Sequence, residues 1–147
     1  MKRHLLDVNV LLALVWPRHE GHSAAHSWFA RTGRRAWATN PITQLGVLRL
    51  LTNPLVALHT VSPARAFEVL SEVTRHPGHE FWPMDRQVLD SLKPAVSQIR
   101  GYRHWTDAAL LCQAAERDGA LVTFDAGIPE LGSPELRNRV VLLKHVS

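Results

Sequence analysis

The feature that most constrains this chain is its alternation of short apolar runs with longer helical patterns, the two separated by Pro or Gly. His4 to Leu6 is a run of strand type that meets Asp7 and passes into an apolar helix, about Val8 to Val15, stopped by Pro17. A second helix, from about Ser23 to Thr32, sets Ala24 with Trp28 and Ala25 with Phe29 at i, i+4 spacing, and Gly33 ends it. Arg35 to Thr39 reads as the second strand. Asn40-Pro41 then opens a helix with two N-terminal signals: an Asn that caps the first turn, and a Pro where the amide hydrogen would be unpaired. This helix is expected to turn Leu45, Leu48 and Leu51 inward and to end near Asn53-Pro54. Ser62-Pro63 repeats the device before a helix of Ala66, Phe67, Val69, Leu70 and Val73, which stops at His76-Pro77-Gly78.

Glu80 to Met84 is the third strand, Gln87 to Val96 a further helix, and Thr106 caps a long helix that ends at Asp118-Gly119. Ala120 to Phe124 and Val140 to Leu143 complete the strands, with Pro129 and Pro134 in the loop between them. Five strands separated by helices predict an α/β fold: a mostly parallel five-stranded sheet with helices on both faces. The 147 residues make one domain, 1–147, long enough to bury roughly 70% of the surface its unfolded chain exposes. A lone cysteine, Cys112, excludes an internal disulfide, a four-cysteine zinc site and a CxxC redox motif, and points to a reducing cytoplasm. Val8 to Trp16, the longest nearly apolar run, is interrupted by Asn9 and falls short of the ~18 to 20 residues of a membrane span. Lys2 and Arg3 precede it as in a signal peptide, but Asp7 and Asn9 lie inside it and no small-residue cleavage site follows. A soluble protein with no membrane partner is expected.

Seventeen Lys plus Arg face 13 Asp plus Glu, a formal charge of +4, and 14 of the 17 are Arg. The guanidinium fork matches phosphate geometry, so the balance leans toward a polyanionic partner.

In parallel sheets, ligands bind at the carboxyl ends of the strands, and that rule selects three carboxylates. Asp7 closes strand one, Asp125 closes the strand Ala120 to Phe124, and Asp107 sits in the first turn of the helix before it. Each has a structural use by itself, as a cap or as a charge at a helix N-terminus. Taken together, with Asn9 and Thr123 as polar neighbours, they make a cluster whose mutual repulsion calls for a hard cation. Oxygen ligands without Cys favour Mg²⁺ or Mn²⁺.

Four segments in order, LLDVNVLLAL, NPITQLGVLRLLTNP, HWTDAALLCQAAERDG and LVTFD, resemble the PIN-domain ribonucleases, specifically the VapC-type toxins of bacterial toxin–antitoxin pairs. The resemblance runs from Leu5 to about Leu143. It implies a three-layer α/β/α sandwich, a Mg²⁺ or Mn²⁺ site and endonucleolytic hydrolysis of RNA that leaves a 5′-phosphate and a 3′-hydroxyl. It places Asp7, Asp107 and Asp125 at the metal, with Asn9 and Thr123 as supporting polar residues, and it implies a cognate VapB-type antitoxin and a homodimer. The family's second acid lies in a segment like ITELG, whereas this chain reads Ile42-Thr43-Gln44-Leu45-Gly46. Gln44 therefore takes a catalytic position without a charge, and a catalytically weak or inactive PIN-fold protein that binds RNA or antitoxin is the alternative.

Arg100, Arg103 and His104, interleaved with Tyr102 and Trp105, suit phosphate contact and base stacking; a solvated loop is the plainer use of the same residues. His22 and His26 have metal-ligand spacing but no third partner nearby, and read as structural. The tryptophans read as core and interface, with Trp16, Trp28 and Phe29 a candidate antitoxin groove. A further alternative is a phosphoacceptor receiver domain using Asp7, Asp85, Thr123 and Lys144.

Overall fold

Adjacent residues of a strand point to opposite faces, so a strand covered by helices on both sides must be apolar at every position. Leu5, Leu6, Leu121 and Val122 meet that demand and are wholly buried. The computed structural model describes residues 2–56 and 61–145. Its five strands, β1 (His4–Leu6), β2 (Trp37–Thr39), β3 (His79–Phe81), β4 (Ala120–Thr123) and β5 (Val140–Leu142), form one parallel sheet in the order β3-β2-β1-β4-β5. Leu5 is in register with Ala38 and Leu121, and Leu6 with Val122.

Leu5, Ala38 and Leu121 share one face with Leu110, Leu111 and Leu136, under α5 (Val88–Ser91), α6 (His104–Glu116) and α7 (Pro134–Arg137). Leu6, Trp37 and Val122 share the other with Val10, Leu11, Trp28, Val47 and Leu70. That face is covered by α1 (Val8–Val15), α2 (His22–Arg31), α3 (Pro41–Leu51) and α4 (Pro63–Val73). The predicted three-layer sandwich is what the chain forms.

The chain builds outward from β1 to β2 and β3, then crosses back to place β4 on the far side of β1. The carboxyl ends of β1 and β4 thus flank the point where strand order reverses, the place where open α/β sheets bind ligands. The same order removes the receiver alternative. β3 is an edge strand separated from β1 by β2, and Asp85 lies 3.7 Å from Arg117 in an ion pair.

Several boundaries differ from expectation. Gly33–Arg35 is a 3₁₀ turn, so β2 begins at Trp37, and β3 ends at Phe81 because Pro83 follows closely. The helix expected over 87–96 is only α5 and a 3₁₀ turn at Val96–Gln98, Pro94 lacking the amide hydrogen a continuous helix needs. The loop before β5 contains both a 3₁₀ turn, Ile128–Leu131, and α7. Helix α6 starts at His104, so Thr106 lies within its first turn and does not cap it. In α3 the inward stripe is Thr43, Val47 and Leu51, four residues apart, which leaves Leu45 60% exposed; Phe67 is likewise outside the Ala66 and Leu70 stripe of α4.

Two glycines allow close approaches. A Cβ on Gly46 would stand 2.6 Å from Val8 Cγ2, so this glycine brings α3 against α1. A Cβ on Gly78 would collide with the Arg34 carbonyl oxygen. The Gly78 carbonyl is itself fixed, accepting from Trp37 N at 3.0 Å and from the Arg3 guanidinium at 2.7 Å. Gly78→Ala is expected to cost ~1–3 kcal/mol by overpacking, read as a lower urea midpoint at unchanged slope. A midpoint equal to that of wild type would show that this approach is not tight.

Candidate active site

Asp7 caps α1, its Oδ1 accepting from Val8 N at 2.8 Å. Its Oδ2 accepts from Thr123 Oγ1 at 2.6 Å. Thr123, the wholly buried last residue of β4, uses the same oxygen to accept from Asp125 N at 3.0 Å. Asp125 Oδ1 then accepts from Gly127 N at 2.8 Å, which closes the turn after β4. Asn9 Oδ1 takes the Phe124 amide at 3.5 Å. One hydroxyl therefore couples the two strand-end acids, and Thr123 and Asn9 both make hydrogen bonds at these strand ends.

Asp107 joins this group from α6, which packs against β1 and β4. Its carboxyl is pushed up to about 7, chiefly by burial and then by the charges of Asp7 and Asp125. The Asp7 carboxyl is also raised, by burial first; the bonds from Thr123 and Val8 oppose that rise and the Asp125 charge adds to it. Among the described residues, none of the three acids has an ion-pair partner.

Three acids, two of them, Asp7 and Asp107, with raised proton affinity, and none with a basic partner among the described residues, are a donor set for a hard cation. They do not form a closed cage: among the described residues, no three His, Cys, Asp or Glu side chains stand close enough to hold an ion by themselves. That openness suits Mg²⁺, which keeps several waters and takes one or two carboxylates plus substrate phosphate.

Gln44, in the first turn of α3, donates from Nε2 to Thr39 Oγ1 at 2.9 Å, and among the described residues no hydrogen bond links it to the three acids. The turn is rigidly held. Asn40 and Thr43 cap it reciprocally at 2.9 Å each, and Asn40 Nδ2 donates to the buried Gln113 Oε1 at 2.7 Å. Gln113 Nε2 continues to the Pro83 carbonyl at 3.2 Å. Gln113, which ties the helix of Gln44 to the helix of Asp107, was missed in the sequence; an amide inside the apolar run AALLCQAA was its signal.

Arg100 and Arg103 are exposed just before α6, with His104 its first residue. Arg103 Nε donates to the Tyr102 hydroxyl at 3.1 Å, and the guanidinium lies 5.5 Å from the centre of that ring. Tyr102 and Trp105 are exposed, so the segment presents cations and aromatic faces beside the acids. A cleft of about 500 Å³ opens next to them, bounded by Val8 and Thr106, the neighbours of Asp7 and Asp107, and by Ile42, Leu45 and Arg49 of α3. His22 and His26 are structural: their rings meet the carbonyls of Ala13 and Leu14 at 2.7 and 3.0 Å and tie α2 to the end of α1. Trp28 is buried against Gly33 and does not line a groove.

The family model described as PIN domain matches residues 4–133. The chain belongs to the PIN-domain family. Ribonuclease VapC39 of Mycobacterium tuberculosis is 40% identical to this PIN domain over 132 residues, 90% of this chain and 95% of the relative. Ribonuclease VapC38 of the same organism is 40% identical over 139 residues, 95% of this chain and 96% of the relative. The chain is thus a PIN domain of the VapC type. Solved structures agree on the fold. A Mycobacterium tuberculosis VapC20 described as a sarcin-ricin-loop-cleaving toxin superposes with a TM-score of 0.65 at 13% identity, over 85% of this chain and 92% of that one. VapBC2 from Rickettsia felis, bound to a promoter DNA fragment, gives 0.63 at 11% identity, over 97% and 99%. Among the described residues, no helix of this PIN domain is long and apolar enough to cross a membrane.

Proposed function

We propose that this PIN domain is a metal-dependent endoribonuclease toxin, acting in the cytoplasm as a homodimer and neutralised by a VapB-type antitoxin. The observation that carries the reading is the coupled acid group: Asp7, Asp107 and Asp125, unpaired with any base among the described residues, with Asp107 raised to about 7 by burial and its two neighbours. Likeness to ribonucleases VapC39 and VapC38 supports the substrate class, and likeness to a VapBC complex supports the antitoxin.

Asp7, Asp107 and Asp125 would hold Mg²⁺ or Mn²⁺, which when bound supplies an acidified water and charge stabilisation for phosphodiester hydrolysis. Thr123 keeps Asp7 and Asp125 in one orientation, and Asn9 holds the chain between them. Arg49, lining the cleft, and Arg100, Arg103 and His104, at the start of α6, place cationic and donor groups along a path for the RNA backbone. Tyr102 and Trp105 offer stacking surfaces to unpaired bases.

Incubation with a panel of structured RNAs tests the reading. Cleavage is expected with Mg²⁺ or Mn²⁺, stopping with EDTA and returning when Mn²⁺ is added in excess, with 5′-phosphate ends on the products. Cutting that persists in EDTA would remove the metal from the mechanism. Tight RNA binding without cutting under any ion would establish the inactive alternative, which the neutral Gln44 and its bond to Thr39 favour.

A further inference from the structure

Position 44 carries an amide where the resemblance leads one to expect an acid, and the hydrogen bonds around it have a direction. Gln44 Nε2 lies 2.9 Å from Thr39 Oγ1, and that oxygen lies 2.7 Å from His79 Nε2. Thr39 is wholly buried, so water does not complete its hydroxyl. A hydroxyl has one hydrogen to give, and the amide nitrogen is donor only. Oγ1 therefore accepts from Gln44, and its own buried hydrogen is paired only if it goes to His79 Nε2 as the bare nitrogen of a neutral ring.

The surroundings of His79 fit that state. Burial is the largest influence on the ring and disfavours its charged form, with the Thr74 backbone acting the other way. Of the charged and titratable groups that face the ring, Arg3 and His76 disfavour a second proton and Glu80 favours one. Arg3 and Glu80 largely offset each other, being paired at 3.4 Å, with the Arg3 guanidinium also bonded to the carbonyls of Trp37 and Gly78. The path from Gln44 to Thr39 to His79 thus ends on a neutral ring, and it reaches position 44 as an acceptor.

We propose that Thr39 and His79 are positioning residues for Gln44: they form a one-way hydrogen-bond relay that anchors its amide nitrogen and selects Gln over Glu at this place. The planar amide then turns Oε1 away from Thr39, and among the described residues no hydrogen bond occupies that oxygen. A glutamate would bring only acceptors. It would have to take the Thr39 hydrogen for itself, and His79 would have to supply a proton on Nε2, by changing tautomer or by becoming charged. The inference rests on Gln44 belonging to the candidate site, but the relay is measurable with neither metal nor RNA.

Nitrogen-correlated NMR of the metal-free protein, with His79 assigned by a His79→Asn control, reads the relay. In wild type at pH 7, His79 is expected to be the Nδ1–H tautomer with Nε2 unprotonated. In Gln44→Glu, Nε2 becomes protonated; in Thr39→Val/Gln44→Glu that change is lost, and in Thr39→Ser/Gln44→Glu it returns. An Nε2–H ring in wild type, or a His79 unaffected by Gln44→Glu, would overturn the relay. The Gln44 substitution alters only a half-buried side chain, so this comparison decides the question even where Thr39→Val does not fold. For RNA cleavage, Thr39→Val is expected to lose about tenfold, the low end for an outer-shell partner, with Thr39→Ser restoring it. Metal-dependent cleavage with a wrong His79 tautomer would remove the relay and leave the nuclease. The right tautomer with no cleavage under any ion would remove the nuclease and leave the relay.

Discussion

Asp107→Asn is expected to act in opposite directions on activity and on stability, which separates a metal-site acid from a structural one. For activity, the loss should exceed ~100-fold, the upper end of what removal of an outer-shell partner costs. For stability, the sign follows from the raised carboxyl. Its ordinary value is 3.8 and its folded value about 7. Between those limits the folded protein retains a proton that the unfolded chain has released, so metal-free stability falls as pH rises through that window and stays low above it. Asn carries no titrating group. The variant should therefore melt higher than wild type at pH 8 in EDTA and about the same at pH 4. Saturating Mn²⁺ should raise the melting temperature of wild type at pH 8 and that of the variant much less, since a ligand stabilises only the state it binds. Melting curves with and without Mn²⁺ at the two pH values read both effects. A variant that melts lower than wild type in EDTA at pH 8 would mean that Asp107 helps hold the fold, and wild-type cleavage would remove it from the site.

The grouping of the three acids was legible because each is the first acidic residue at the end of an apolar run or in the first turn of a helix, and strand ends in a parallel sheet converge. What the sequence did not show is how they communicate. Thr123 was visible as a polar neighbour, but its hydrogen bond to Asp7 depends on a register between strands 116 residues apart in sequence. Gln113 was hidden for a similar reason, since its partner Asn40 already had a sufficient local role as a cap. The misplaced Leu45 had a different cause. It sits in a helix rich in apolar residues, where several phases satisfy a 3.6-residue period and only the sheet beneath selects one. At Gln44 the sequence showed a missing charge; the hydrogen-bond direction reaching it from His79 is a property of β2 and β3 lying side by side.

Thr123→Val tests the other half of the site, the part that orients the acids. Valine keeps the buried shape but removes the donor to Asp7 Oδ2 and the acceptor for Asp125 N. Asp7 is buried, and the Thr123 bond is the strongest influence opposing the upward push of burial on its carboxyl. Without that bond the Asp7 carboxyl rises further and is protonated over a wider range of pH. The Asp125 turn also loses its tether to the sheet. Cleavage is expected to fall 10- to 100-fold, with the acid limb of the pH–rate profile moved to higher pH. Leaving a buried acceptor unpaired costs ~1–3 kcal/mol of stability, seen as a lower denaturation midpoint. Thr123→Ser keeps the hydroxyl and should recover both the rate and the profile. Were the serine variant as slow as the valine one, the methyl group and its packing, not the hydrogen bonds, would be what the site needs from this residue.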